Sequence, residues 1–134
     1  MNTKYASTNF QWREFYCPKA QVVPVSDLTL YHVERLERLR HELDRPLRVN
    51  SGYRSPDHNA KVGGAKQSMH LEFATDIAPT GDNSPEILQE IYTMAEEFGF
   101  SGLGQYDTFI HLDCREFIGR TPARWDNRTA AENT

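Results

Sequence analysis

His70, Asp76 and the run His111-Leu112-Asp113 are the residues of this chain whose types suit metal chemistry. Two imidazoles and one carboxylate fill the three protein positions of a catalytic zinc and leave a fourth for water. On a strand, alternate side chains share a face, so His111 and Asp113 are expected to project together while Leu112 packs behind them. That places a carboxylate beside a metal ligand. The preceding stretch, 49–77, is dense in polar and special residues: Asn50-Ser51-Gly52-Tyr53-Arg54-Ser55-Pro56, His58-Asn59, Gly63-Gly64-Ala65 and Ser68-Met69-His70. A connection of this length in a compact domain is functional or disordered. The β-prone run Ala74-Thr75-Asp76-Ile77 that follows favours function. Taken singly, each residue also has an ordinary reading, as a hydrogen-bonded strand histidine or a turn aspartate.

Such residues need elements to hold them. Ser26 is an N-cap for a predicted helix running to about Leu43, with Val33, Leu36, Leu39 and Leu43 at helical spacing and Arg and Glu on the other face. Asp44-Arg45-Pro46 ends it. Its charges read as a solvated face, and His32 and His41 belong to that helix rather than to a cluster. A second helix starts at Ser84-Pro85-Glu86, continues through Ile87, Leu88, Ile91, Met94 and Phe98, and closes at Gly99. Short β-prone runs fall at 47–50, 74–77, 103–106 and 109–114, separated by glycine and proline signals. The expected fold is α+β, a small, mostly antiparallel sheet with two main helices packed on it. Phe10, Trp12, Phe15 and Tyr16 are too many aromatics for a free arm, so this stretch is expected to pack as a short helix or turn.

Composition narrows the function classes. A chain of 134 residues has room for one core, here expected over 1–125 with a polar, mobile tail over 126–134. With 38% hydrophobic and 25% charged residues it should fold. A formal charge of −4 with scattered Lys and Arg argues against nucleic acid as a partner, which also disfavours a nuclease built on His58-Asn59. No apolar run approaches the roughly 20 residues that span a bilayer, and residues 1–10 lack the apolar region of a signal peptide. Synthesis in a cytoplasm without membrane insertion is expected, as is a monomer. Cys17 and Cys114 match no paired-cysteine spacing and are expected to be free thiols.

The arrangement is more specific than its parts. S-G-Y-R-S-P-D-H-N over 51–59, V-G-G-A over 62–65, S-M-H over 68–70, A-T-D-I over 74–77 and G-Q-Y-D-T-F-I-H-L-D over 104–113 follow one another in order. Together they resemble the signature of zinc D-alanyl-D-alanine carboxypeptidase-like peptidases, in the superfamily shared with lysostaphin and the Hedgehog signalling domain, over about 10–125. The resemblance implies that fold, a Zn2+ cofactor held by His70, Asp76 and His111, and Arg54 as the residue that binds or polarises the substrate peptide, with Tyr53 and Ser68 beside it. Paired donors of a guanidinium suit a carboxylate or carbonyl. It also implies hydrolysis of peptidoglycan peptides containing D-alanine, by carboxypeptidase or cross-link endopeptidase action. Without a leader, wall degradation after phage-assisted release, as by a phage endolysin, is the expected setting. The alternative is a non-catalytic metal-binding or phage structural module that keeps the fold.

Two positions depart from the family pattern. Relatives usually place seven residues between the first ligands and a glycine among them, whereas His70 to Asp76 is six and has none. An even spacing would let both ligands share one strand face. Many relatives also carry Glu or Asp three residues before the last histidine, where this chain has Thr108. Asp113 is therefore expected as the general base, with Asp107 second; ligation of the metal or orientation of His111 are the other roles open to Asp113.

Overall fold

The computed structural model describes residues 4–129. Its elements run α1 (Asp27–Leu43), β1 (Leu47–Ser51), α2 (Pro56–Lys61), β2 (Ala74–Pro79), α3 (Pro85–Glu97), β3 (Gly102–Gln105), β4 (Ile110–Asp113) and β5 (Ala123–Asp126). The five strands form one sheet in the order β1-β2-β4-β3-β5. All neighbours are antiparallel except β3 and β5, which run parallel. The α+β expectation holds, with the long helices α1 and α3 packed on the sheet.

Local chemistry explains the helix ends. The Ser26 hydroxyl accepts the Thr29 N–H at 3.3 Å, and Asp44 closes α1 in the left-handed conformation at φ 50°. Ser84 caps α3 through the Ile87 N–H, Pro85 opens it, and Gly99 leaves it at φ +85°. Leu28, Val33, Leu36, Leu39 and Leu43 of α1 meet Leu88, Ile91 and Ala95 of α3 and Ile77, Leu103, Ile110 and Leu112 of the sheet in one core. Fully burying such side chains contributes roughly 1.5–3 kcal/mol each.

The aromatic N-terminal stretch packs as expected. Trp12–Phe15 form a 3-10 turn, and Phe15 starts a string of ring contacts through Phe73 (5.5 Å), His32 (4.8 Å) and Phe100 (5.2 Å). His32 lies on α1 as expected but not on its solvated face: it is fully buried against β2, with Nε2 2.9 Å from the Thr75 hydroxyl. Its Nδ1 has no partner among the described residues. Burial pushes its pKa down from 6.5 to about 3, against an opposing pull from Asp113.

The sign of the linkage follows. Between about pH 6.5 and 3 the unfolded chain binds a proton at His32 that the folded chain refuses, so this group's contribution to stability falls on acidification. The limit is about 1.4 kcal/mol per pH unit for one proton. His32→Leu should show a shallower loss of denaturation midpoint between pH 6.5 and 4 than wild type, read by urea titrations at each pH. Parallel curves would contradict a neutral buried imidazole.

The predicted division at 125/126 falls inside β5. Beyond that strand the Asn127 N–H donates to the Gln105 carbonyl at 2.8 Å, and Thr129 donates to Asp107 from both its backbone N–H (3.0 Å) and its hydroxyl (2.7 Å). The remainder of the predicted tail, 130–134, lies outside the described residues. Cys17 and Cys114 are buried free thiols. No helix among the described residues is long and apolar enough to cross a membrane.

Candidate metal centre and its cleft

His70, Asp76 and His111 converge. One ligand atom from each lies within 4.8 Å of the other two, and all three residues are buried. Asp76 Oδ1 sits 3.3 Å from His70 Nε2 and 2.9 Å from His111 Nδ1. Tetrahedral ligands held about 2.0–2.1 Å from a zinc are separated by about 3.3 Å, so the spacing fits that ion.

The two imidazoles are held from behind. His70 Nδ1 is 2.6 Å from the Gly52 carbonyl, which can only accept, so Nδ1 carries the proton and Nε2 is left as a ligand. His111 Nε2 donates to Asp113 Oδ2 at 2.7 Å, which leaves Nδ1 facing Asp76. When protons rather than a metal sit on the Asp76-facing nitrogens, burial alone would raise the Asp76 pKa, but hydrogen bonds from His111 and His70 outweigh it and hold the carboxyl well below the usual range. Burial would lower the His111 pKa, and its bonds to Asp113 and Asp76 raise it instead. The carboxylate donor set is thus ionised at neutral pH, as a divalent cation requires.

Different elements deliver the ligands. Asp76 and His111 are directly paired across β2 and β4. His70 lies on a separate 3-10 turn, Met69–Leu71, whose start is capped by the Ser68 hydroxyl accepting the His70 N–H at 3.1 Å. The expectation that His70 and Asp76 share one strand face is therefore corrected. Their convergence comes from a turn placed over the sheet, which makes strand parity between 70 and 76 irrelevant.

Arg54, Ser68, His70, Asp76, Tyr106, His111, Arg115 and Trp125 all line one cleft of about 510 Å³, closed on another side by the glycine loop 62–65. The Arg54 N–H donates to the His70 carbonyl at 2.8 Å, tying the arginine to the ligand turn. Its guanidinium donates to Asn59 Oδ1 at 3.3 Å and lies 3.9 Å from Asp76 Oδ2. Buried Asn59, on α2, also donates to the Ala65 carbonyl at 2.9 Å, so one side chain steadies both Arg54 and the loop. Helix α2 is short, but Ser55 caps it and Pro56 opens it, and it sits inside a stretch expected to be a connection.

Three expected site residues sit differently. Asp113 is fully buried and lines no part of the cleft. Its carboxylate accepts His111 Nε2, the Arg115 backbone N–H (3.0 Å) and a two-pronged Arg115 guanidinium at 2.9 and 2.7 Å. Burial would raise its pKa, yet these donors hold it well below the usual range. The carboxylate lies behind His111 with each oxygen already accepting two hydrogen bonds, so it is not placed to take a proton from water in the cleft. Asp107 is exposed and bound to Thr129, again away from the cleft lining. Tyr53 packs against the core and does not line the cleft, whereas Ser68 does both the capping and some of the lining.

Several cleft residues were not anticipated from the sequence: Tyr106, Arg115 and Trp125, with Gly102 and Gly104 beneath them. Gly102 pairs with Asp113 and Gly104 with His111 across β3 and β4. A Cβ on Gly102 would overlap the Asp113 carboxylate, and one on Gly104 would overlap the Trp125 ring. The period-two glycines of Gly102-Leu103-Gly104 were the signal, since glycine inside a strand marks close approach by another group. Trp125, carried by β5, lies with its ring centre 5.0 Å from that of His111 and donates its indole N–H to the Tyr106 hydroxyl at 2.9 Å.

A family model described as Peptidase M15 matches residues 8–113, which span most of the chain and include His70, Asp76 and His111. No protein with a curated description matches the chain. M15 peptidases are zinc-dependent, and the buried His70-Asp76-His111 group supplies the ligands such an ion needs. By the extent of that match, with its metal-binding group intact, the chain belongs to the M15 family of metallopeptidases.

Proposed function

We propose that this chain hydrolyses peptide bonds in peptidoglycan peptides containing D-alanine, as a carboxypeptidase or cross-link endopeptidase. The observation that carries this reading is the convergence of His70, Asp76 and His111 beneath a cleft that Arg54 also lines. His70, Asp76 and His111 would hold a zinc ion, which when bound would supply Lewis acidity and a more acidic water. Around it the chain's own groups position and polarise. Gly52 and Asp113 lock the two imidazoles in the ligating tautomer. Arg54 offers paired N–H donors to a carbonyl or a terminal carboxylate in the cleft. A wall-degrading role in phage lysis would use the same chemistry.

One observation favours a second reading, a metal-binding module without catalysis. Asp76 is the only carboxylate among the described residues that line the cleft, so none of these offers a separate carboxylate to accept a proton. Metal analysis and digestion of purified muropeptides decide between the two. The enzyme is expected to hold about one zinc per chain and to release D-alanine or open cross-links. Zinc at that level with no cleavage of any D-alanine-containing peptide would establish the module. Absence of zinc at neutral pH would sink both readings.

A further inference from the structure

The described residues leave a neutral donor in the cleft. Tyr106 continues the site-facing row of Gly102 and Gly104 past the end of β3, and its N–H donates to the Phe109 carbonyl at 3.1 Å to close the turn into β4. Its ring stacks on Phe109 with centroids 4.3 Å apart and planes within 10°. The indole of Trp125 bridges from the His111 ring to the Tyr106 oxygen. That N–H occupies the hydroxyl as an acceptor, and no acceptor for the hydroxyl proton occurs among the described residues. A hydroxyl that already accepts a hydrogen bond is polarised toward donating one.

We propose that the Tyr106 hydroxyl donates a hydrogen bond to the substrate carbonyl oxygen as that oxygen gains negative charge, with Trp125 as the positioning residue. This rests on the hydrolytic reading above. The proton stays on the tyrosine, and the bond shortens as charge develops, which is how a fixed donor lowers a barrier rather than merely binding substrate. Stacking on Phe109 fixes the ring plane, and the indole fixes the hydroxyl along it.

The test uses the zinc-loaded protein, a D-alanyl-D-alanine-containing peptide and a phosphinate analogue of that dipeptide, whose tetrahedral oxygens mimic the charged intermediate. Tyr106→Phe keeps the stacking surface, so zinc content, melting temperature and KM should stay near wild type. Its kcat should fall roughly 100-fold, and calorimetry should show phosphinate affinity falling by roughly the same factor. Trp125→Phe should lower kcat less, about tenfold, because the phenol remains but is no longer anchored. Wild type that cleaves while Tyr106→Phe keeps kcat and phosphinate affinity within about twofold overturns the tyrosine assignment alone. Wild type that binds zinc but neither cleaves the peptide nor binds the phosphinate overturns the assignment together with the hydrolytic reading.

Discussion

Asp76→Ala is expected to remove zinc binding and hydrolysis together. Asp76 Oδ1 is the atom that both imidazoles share, at 3.3 and 2.9 Å. Without it, two nitrogen ligands remain on rings 5.1 Å apart, short of the three protein ligands that a catalytic site uses. The clearest readout is stability. Zinc that binds only the folded state raises stability by about 2.7 kcal/mol at a hundredfold excess over its dissociation constant. Wild type should therefore gain melting temperature as zinc is added, and Asp76→Ala should not. An equal gain in the variant would place the metal elsewhere.

The second large effect concerns Asp113. Asp113→Ala leaves the Arg115 guanidinium without its partner and the outer N–H of His111 without an acceptor, both beside a fully buried position. Breaking a buried pair from one side costs roughly 3–5 kcal/mol. Asp113→Asn, which keeps the shape and one acceptor oxygen, should fold well enough to assay. Its zinc affinity should fall about 10–100-fold, as for other groups that orient a ligand from behind, and saturating zinc should recover much of its activity. A general base would show the opposite, unchanged zinc affinity with a loss of kcat that no zinc restores.

The legible parts of this protein were those written in local chemistry. The caps Ser26 and Ser84, the proline at 85 and Gly99 delimit both long helices within a residue or so of their observed ends. The alternation His111-Leu112-Asp113 correctly put Leu112 in the core and the other two side chains together. The triad was nameable because its motifs occur in order. What direction each group faces was less legible. His32 reads as one more polar residue on a charged helix, and only the packing of Phe73 and Phe100 around it shows that it is core. Asp113 reads as a free carboxylate, because nothing local announces that Arg115 will fold back onto it with two prongs. β5 escaped notice altogether. Its four residues carry little pattern of their own, and their pairing with β3 is parallel and spans some twenty residues of chain.

The strand order has a consequence for self-association. An open sheet ends in two rows of unpaired backbone groups, each a template on which another chain can add a strand. Here both rims are poor templates. β1 is five residues long, shifts register between Val49 and Ser51, and exposes Arg48 bonded to Asn50. β5 is four residues long and exposes Arg124, paired with Glu96 at 2.9 Å, and Asp126, paired with Arg128 at 2.7 Å. Short length, a broken register and charges that are already paired leave an incoming strand little to gain. The strand that brings Trp125 to the cleft therefore also serves as a guard against aggregation through the sheet's open side.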